Sequence, residues 1–369
     1  MKAAGAGKSY FFPMRYQPRK IIVDPGAEKT PAARRVLSRC PEAAWVRERV
    51  LSVSPLERES TLYLMDNPGA YFKPCPQTPE YACCGYRILN FSTGCPIHCT
   101  YCILNGYLHS RAMTFFCDHG RMFAELDQAL RARGPFRRVG SGEFTDSLVL
   151  DHLTDFSVDA IPFFLGKKNV LYEMKTKTDN IENLLKFDGM RKVLVSWSVN
   201  PPLIIDREEK GSATLAKRLD AAQRCMKNNY LVGFHFDPII RHGGWEENYA
   251  RLVDEIYRRI DPERIAWISL GCFRFVPELK KVIQEIYPGT KIIYEEFVRG
   301  KDGKMRYFRP LREAVYSLIV DRIKKYHRNP PVYFCMETPL VWERVLGREA
   351  FDSARLAGLL DKVRKKFQL

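Results

Sequence analysis

Three cysteines stand close together in one short segment of the chain. Cys95, Cys99 and Cys102 form a C-x3-C-x2-C pattern that follows an apolar, strand-like segment. Three thiolates at this spacing are suited to holding three irons of a four-iron cluster. Because iron–sulfur clusters normally take four cysteine ligands, a set of three leaves one iron open to another ligand. The pattern therefore predicts a cluster at which chemistry takes place.

Two other interpretations of these cysteines remain open. The thiols could bind a structural zinc ion with a histidine such as His98 or His109, or they could be inert core residues. Structural zinc sites usually combine two short ligand pairs across a longer gap, and no matching second pair is evident. Cys75, Cys83 and Cys84 have a C-x7-C-C spacing that fits no metal pattern that we can justify. Disulfides are disfavoured because the chain begins without the apolar segment of a secretion signal.

The chain carries a strong positive charge. Its 369 residues include 59 Lys and Arg against 43 Asp and Glu, a formal net charge of +16. Phosphate neutralisation by cations supplies most non-specific affinity for nucleic acids, so the charge favours a nucleic acid as partner. The alternative is a basic enzyme with no such partner. No run of 18 apolar residues occurs, so we expect a cytoplasmic protein that does not span a membrane.

Strand-like and helix-like patterns alternate through the middle of the chain. Such alternation is typical of an α/β fold with a parallel sheet. Six units predict a partial (β/α)6 barrel of the TIM type, with its site at the carboxyl ends of the strands. The cysteine loop follows the first strand and is expected at that end. The apolar runs are residues 86–91, 136–139, 170–174, 193–199, 231–236 and 265–270.

The regions before and after the barrel have different patterns. Residues 1–85 predict an irregular N-terminal region that packs on the core, with one helix over residues 32–51. The barrel is expected to occupy residues 86–290, and residues 291–369 to form a C-terminal extension. The extension is predicted to contain a hairpin of strands 291–298 and 305–308 around Asp302-Gly303, a helix near 310–326, a strand at 332–335 and a helix near 351–367.

Further motifs extend the cysteine pattern into a family resemblance. With an aromatic residue before its last cysteine, the pattern is typical of the radical S-adenosylmethionine superfamily. All the motifs together resemble the spore photoproduct lyase family, a branch that repairs a thymine dimer in DNA. The resemblance covers residues 86–340. The additional motifs are GEFTDSL at 142–148, DHLT at 151–154, TK at 176–177, SWSVN at 196–200, GWEE at 244–247 and YFCME at 333–337.

This resemblance implies radical chemistry. Cys95, Cys99 and Cys102 would bind a 4Fe–4S cluster, and S-adenosylmethionine would bind the open iron. Cleavage of the cofactor would then yield a 5′-deoxyadenosyl radical that abstracts a hydrogen atom from the substrate. The resemblance also implies an electron donor such as a flavodoxin or ferredoxin.

Five other residues match functional positions of the family. Glu143 resembles the acid of the superfamily's Gly-Gly-Glu segment, which binds the methionine ammonium through a charge-assisted hydrogen bond. Lys177, Ser198 and Asn200 match positions that contact the carboxylate and ribose of the cofactor, and Tyr101 matches a tyrosine of the radical relay. We therefore expect Tyr101 and Glu143 to be catalytic. The alternatives are a helix cap for Glu143, a solvated charge for Lys177, and turn residues for Ser198 and Asn200.

The predicted hairpin matches the region that the family presents to DNA. Lys301, Lys304, Arg306, Tyr307 and Arg309 combine charges that attract phosphate with a ring that can stack or act as a wedge. We expect Lys304, Arg306 and Tyr307 to contact nucleic acid. The alternative is an ordinary solvated hairpin.

The chain departs from the family pattern in two places. The family has a hydrogen-donating cysteine in the loop after the second strand, where residues 136–150 contain no cysteine and Glu143 occupies about that position. The family also has a tyrosine after the third cluster cysteine, where this chain has Ile103. Cys117, Cys272 and Cys335 are candidates to replace the donor, although we expect each to be a packing residue.

These departures put thymine-dimer repair by the family's route in doubt. A radical enzyme that acts on a small metabolite or a peptide is therefore an alternative. A second alternative is a non-enzymatic, zinc-bearing protein that binds nucleic acid.

Overall fold

The computed structural model describes residues 15–49, 57–76, 81–107, 112–131, 136–348 and 352–367. Its strands are β1 (Lys20–Val23), β2 (Ala44–Arg47), β3 (Thr61–Met65), β4 (Phe72–Pro74), β5 (Arg87–Leu89), β6 (Ser92–Thr93), β7 (Met113–Phe116), β8 (Arg137–Gly140), β9 (Val170–Thr176), β10 (Val193–Ser198), β11 (Leu231–Ile239), β12 (Ile265–Cys272), β13 (Arg274–Phe275), β14 (Phe297–Arg299), β15 (Met305–Tyr307) and β16 (Val332–Phe334). Its helices are α1 (Pro31–Arg39), α2 (Leu104–Tyr107), α3 (His119–Leu130), α4 (Asp151–Thr154), α5 (Phe156–Leu165), α6 (Pro202–Glu208), α7 (Leu215–Lys227), α8 (Trp245–Arg259), α9 (Pro277–Ile286), α10 (Arg309–Lys324), α11 (Pro339–Leu346) and α12 (Ser353–Phe367).

An eight-stranded sheet forms the centre of the fold, in the order β16-β12-β11-β10-β9-β8-β5-β4. Neighbouring strands are parallel, except that β4 runs antiparallel to β5. The central strands are almost continuously apolar and buried, as parallel strands covered on both faces must be. All six predicted strands occur, and the predicted α/β partial barrel is confirmed.

Side chains from five strands meet inside the curled sheet. Arg138 on β8 donates to Glu173 on β9 and to Tyr333 on β16, each at 3.1 Å, although β8 and β16 are not neighbours. Glu173 also lies 2.8 Å from His235 Nε2 and accepts from Trp267 at 3.2 Å. Burial would raise the pKa of Glu173, but His235 and Arg138 outweigh burial and lower it. These contacts require the two edges of the sheet to approach each other.

The N-terminal region differs from the prediction. Three of its strands join β6 and β7, which lie beyond residue 85, in a five-stranded sheet of order β2-β1-β3-β7-β6. The expected helix over 32–51 is wrong in length, because α1 ends at Arg39 and β2 follows it. Thr30 caps this helix by accepting from Ala33 N–H at 3.2 Å, and Pro41 disfavours helical backbone just before it. Because β6 precedes the cysteine loop and β7 follows it, this sheet fixes both ends of that loop.

The C-terminal region contains the predicted hairpin with shorter strands. β14 and β15 replace the predicted strands 291–298 and 305–308, and β13 joins them in a three-stranded antiparallel sheet of order β13-β15-β14. The predicted helices occur as α10 and α12. The last predicted strand is β16, which lies at one edge of the barrel sheet, while β4 lies at the other edge. The domain boundaries after residues 85 and 290 remain a prediction. In the part of the chain described above, no helix is long and apolar enough to cross a membrane.

Candidate active site

The loop with the three predicted cluster cysteines is fixed from two sides. Gly94 begins it at φ +88°, in the left-handed region that favours glycine. The N–H of Gly94 donates to the Phe144 carbonyl at 2.9 Å, and the Ile97 carbonyl accepts from Gly211 N–H at 2.8 Å. A β-carbon on Gly211 would lie 3.0 Å from the backbone of Ile97, so this close approach requires glycine. The loop is therefore held by the segments that follow β8 and α6.

Cys95, Cys99 and Cys102 line one cleft, together with His98 and residues of the neighbouring segments. All three are free thiols. Burial raises the pKa of each thiol, so they need a bound cation in order to ionise. Three otherwise unused thiols on one cleft are a suitable donor set for an iron–sulfur cluster.

The geometry of the donors bears on the zinc alternative. No three His, Cys, Asp or Glu side chains within the described ranges are placed to hold a single metal ion, and His109 lies outside those ranges. The thiolates of a four-iron cluster need not converge on one ion, because each thiolate binds a different iron.

A buried glutamate that sequence reasoning did not single out lies beside the cysteine loop. Glu209 pairs with Cys99 in an isolated backbone bridge, and its carboxylate contacts Arg218 at 2.6 Å. Burial alone would raise the pKa of Glu209. Arg218 and Lys177 outweigh burial and lower the pKa to about 2, so this group is a carboxylate at neutral pH.

Tyr101 and Lys177 both lie at this network, and their predicted roles stay predictions. The Tyr101 hydroxyl donates to Glu209, and burial together with that carboxylate raises the pKa of Tyr101. The Lys177 ammonium lies 3.9 Å from Glu209 and 5.7 Å from the centroid of the Tyr101 ring. Lys177 also lowers the pKa of Cys99, although burial outweighs this effect. Lys177 therefore brings positive charge to the site of the three thiols.

The other two residues predicted for the cofactor at this strand are buried at the end of β10. The Ser198 carbonyl accepts from Arg218 at 2.7 Å. The Asn200 amide is used at both ends, since it donates to Glu209 at 2.9 Å and accepts from the Tyr249 hydroxyl at 2.9 Å. Asn200 thus holds the network together, and contact of Ser198 and Asn200 with a cofactor stays a prediction.

Glu143 lies exposed on the loop after β8. Its neighbour Gly142 comes so close to Lys175 that a β-carbon at Gly142 would lie 2.7 Å from the Lys175 β-carbon. Burial would lower the pKa of Lys175, but Glu143 and other negative groups outweigh burial and raise it, and Glu143 also raises the pKa of Cys75. At Cys95, burial and then Asp146 raise the pKa of the thiol. The predicted binding of the methionine ammonium by Glu143 therefore stays a prediction.

Two residues predicted for nucleic acid are buried instead. Tyr307 stacks on Phe297 with ring centroids 4.8 Å apart, and its hydroxyl accepts from Arg241 N–H at 3.2 Å. Arg306 is 4% exposed and pairs with Asp302 at 2.5 Å. Both lie on β15, the central strand of its sheet. Their burial contradicts the predicted contact with nucleic acid.

The exposed surface of the hairpin nevertheless has the predicted chemistry. Arg299 and Lys301 are exposed, and the ring of Phe308 is 50% exposed. Lys304 is partly buried, with Nζ 4.0 Å from the sulfur of Met336. The combination of basic and aromatic side chains is therefore present, but mainly on residues other than the predicted ones.

A three-cysteine loop at the carboxyl end of a parallel partial barrel defines a radical S-adenosylmethionine enzyme. Comparison with known proteins specifies the class further. The family model of spore photoproduct lyase matches residues 75–332. The spore photoproduct lyase of Bacillus subtilis (strain 168) is 30% identical over 279 residues, which cover 71% of this chain and 79% of that protein. The chain belongs to the spore photoproduct lyase family.

Other relatives agree in sequence and fold. The spore photoproduct lyase of Geobacillus sp. (strain Y412MC61) is 28% identical over 264 residues, 69% of this chain and 76% of that protein. A solved variant of spore photoproduct lyase has a TM-score of 0.77 at 22% identity, covering 87% of this chain and 100% of that one. Another, with bound AdoMet and dinucleoside spore photoproduct, has a TM-score of 0.75 at 23% identity, with 86% and 98% covered. These structures share the fold described above.

Proposed function

We propose that this chain uses radical chemistry on a damaged base in DNA. The observation that carries the proposal is the set of three free thiols on one cleft, on a loop fixed at the carboxyl end of the barrel. Membership of the spore photoproduct lyase family supports the class of reaction. A solved relative with bound dinucleoside spore photoproduct supports a DNA lesion as the class of substrate.

Cys95, Cys99 and Cys102 are the residues that would hold a 4Fe–4S cluster, with S-adenosylmethionine beside it. When bound, these groups supply a carbon-centred radical that takes a hydrogen atom from the substrate. Lys177 would pair with the carboxylate of the cofactor, since its ammonium lies beside the thiols and a charge-assisted hydrogen bond is favourable there. Glu209 would keep the Tyr101 ring in place through their hydrogen bond. An external donor such as a flavodoxin or ferredoxin would supply the electron.

The hairpin would contact the nucleic acid. Arg299 and Lys301 are exposed and would neutralise phosphates, and the exposed ring of Phe308 is suited to stacking or wedging. A lesion must leave the base stack to reach a site inside a barrel, and damaged bases cost the least to extrude. The net charge of +16 agrees with such a partner.

An activity assay tests this proposal. Reduced, reconstituted protein is incubated with S-adenosylmethionine and oligonucleotides that carry defined lesions, and both 5′-deoxyadenosine and the altered base are measured. We expect both products from the wild type and from a Cys40→Ala control, whose cysteine lies at the end of α1.

Two outcomes would contradict the proposal. A colourless preparation with one zinc per chain would exclude the radical reaction. Cleavage of the cofactor that responds to small metabolites or peptides, and not to any lesion, would exclude DNA as the substrate. Glu143 stands about where the family has its hydrogen-donating cysteine, so a different group would have to return a hydrogen atom to the product radical. The structure of the product shows whether that hydrogen atom has been returned.

A further inference from the structure

Four cysteines outside the proposed reaction lie at the open side of the barrel. Cys75 follows β4, Cys83 and Cys84 lie between β4 and β5, and Cys335 follows β16. β4 and β16 are the two edges of the eight-stranded sheet, and the curl of the sheet brings these edges together. All four are free thiols that are partly exposed to solvent.

These four thiols form one group. Arg138 on β8 donates to Tyr333 on β16 at 3.1 Å, so the two edges of the sheet lie close together here. The four thiols accordingly act on one another's pKa values. Cys335 is separated from the other three by about 250 positions in the sequence. The fold therefore assembles a set of donors that has no recognisable spacing along the chain.

Backbone hydrogen bonds fix the segments that carry the thiols. The N–H of Cys75 donates to the carbonyl of Tyr86 at 3.0 Å, and the N–H of Cys335 donates to the carbonyl of Leu270 at 2.9 Å. The first bond ties Cys75 to the segment just before β5, and the second ties Cys335 to β12. The group is thus part of the barrel framework.

Cations surround this group. Arg274 donates to the sulfur of Cys335 at 3.4 Å. Lys175 interacts with Cys75 and Cys335, and Lys304 also interacts with Cys335. The acids nearby are Glu143 and Asp237, and Asp237 is paired with Arg274 at 3.1 Å. Positive charge at this place favours a bound group that is negative overall.

A fourth cation, Arg138, has unused hydrogen-bond donors. It is 4% exposed, and its charge acts on Cys84. Nη2 donates to Glu173 and Tyr333, but Nε and Nη1 have no hydrogen-bond partner within the described part of the chain. Buried donors are normally satisfied, and the sulfurs of an iron–sulfur cluster accept hydrogen bonds.

We propose that Cys75, Cys83, Cys84 and Cys335 bind a second iron–sulfur cluster between the two edges of the barrel sheet. Four thiolates are the usual ligand set of 2Fe–2S and 4Fe–4S clusters. The second site lies on the side of the barrel that faces Glu143, apart from the loop of Cys95.

The experiment removes one cysteine set at a time from the full chain. Iron, acid-labile sulfide and zinc are measured after anaerobic reconstitution, with EPR spectra of the reduced protein. A variant with Cys95, Cys99 and Cys102 all changed to Ala should keep between roughly one third and one half of the wild-type iron, for a two-iron or a four-iron second cluster. Adding Cys75→Ala and Cys335→Ala together to that variant should remove the remainder, because only two of the four thiols are then left, and adding Cys40→Ala should not.

Each other result overturns the proposal. The triple variant without iron and sulfide would show that the second set binds no cluster, and zinc in place of iron would show a different metal. Iron that survives the loss of both Cys75 and Cys335 would also overturn it, provided that the corresponding Ser variants give the same result and circular dichroism shows the variants folded. The reverse variant has Cys75, Cys83, Cys84 and Cys335 replaced and keeps the three cysteines of the loop. It separates the test of the second cluster from the test of the proposed function. It should still cleave S-adenosylmethionine if the proposed function holds, whatever its second site binds.

Discussion

The two cysteine sets differ in number and in surroundings. The loop set has three thiols within eight residues, beside Lys177 and a carboxylate network around Glu209. The second set has four thiols from the two edges of the barrel, surrounded by Arg138, Arg274 and two lysines. Three ligands leave a metal position open for a reactant, whereas four ligands close the coordination. We therefore propose that the open set carries out the chemistry and that the closed set serves another purpose.

The largest expected effect separates the two sets directly. Cys99→Ala removes one of the only three thiols of the open set, so we expect no detectable cleavage of S-adenosylmethionine. The measurement is 5′-deoxyadenosine released by the reduced protein. Retained cleavage in this variant, with Cys40→Ala as the control, would show that the open set is not the reacting site.

Acid should affect the network beside the open set through Glu209. The folded-state pKa of Glu209 is lowered from 4.5 to about 2, so its stabilisation is present above pH 4.5 and is lost as pH falls towards 2. The shift corresponds to about 3 kcal/mol at neutral pH. Denaturant unfolding of the wild type and of Glu209→Gln, from pH 7 to pH 3, measures it. We expect the wild type to lose more stability than the variant in the acid range, and parallel curves would contradict the assignment.

Two lysines of neighbouring sequence test whether the sets act separately. Lys177 serves the open set and Lys175 the closed set. Lys177→Ala should weaken S-adenosylmethionine binding by about 10- to 100-fold, since a hydrogen bond to a charged group is worth about 1.5–3 kcal/mol. Lys175→Ala should leave this affinity unchanged. Titration calorimetry of the reconstituted proteins measures both, and equal losses would show that the two sets share one binding site.

The smallest expected effect concerns the hairpin, which approaches the closed set through Lys304. Replacing Arg299 and Lys301 by Ala should weaken DNA binding across sequences and reduce the salt slope by about 1–2. Tyr307→Phe should leave DNA binding unchanged and lower stability by about 1 kcal/mol through the lost hydrogen bond. Fluorescence anisotropy at several salt concentrations and a melting curve measure these effects. A change in DNA affinity for Tyr307→Phe would restore the predicted role of that residue.

The sequence predicts the elements whose structure depends on local composition. The six barrel strands are continuous apolar runs because both faces of the sheet are covered, and the cysteine loop is defined by spacing alone. The N-terminal sheet was missed because its strands are short and β2 is exposed throughout. In addition, β7, which pairs with β3 in this sheet, lies beyond the cysteine loop in the chain. Such pairing is decided by tertiary contacts and leaves little local signal.

Some site residues were likewise recognisable from local motifs, whereas the position of others depends on tertiary contacts. Tyr101 and Lys177 could be picked out from their motifs, and both lie beside Glu209. Glu209 was not identifiable, because its segment reads Arg207-Glu208-Glu209-Lys210 and resembles a solvated charged run. Tyr307 was misassigned because β13, from a distant part of the chain, makes β15 a central strand. Burial of a side chain depends on such partners, which single-strand patterns do not contain.

The glycine at position 211 has a consequence for the shape of the cysteine loop. Its N–H donates to Ile97, and the N–H of Gly94 donates to Phe144, so the backbones of two other segments hold the loop. A β-carbon at position 211 would lie 3.0 Å from the Ile97 backbone. We therefore expect one added methyl group at this position to displace the segment that carries all three thiols, although it touches none of them.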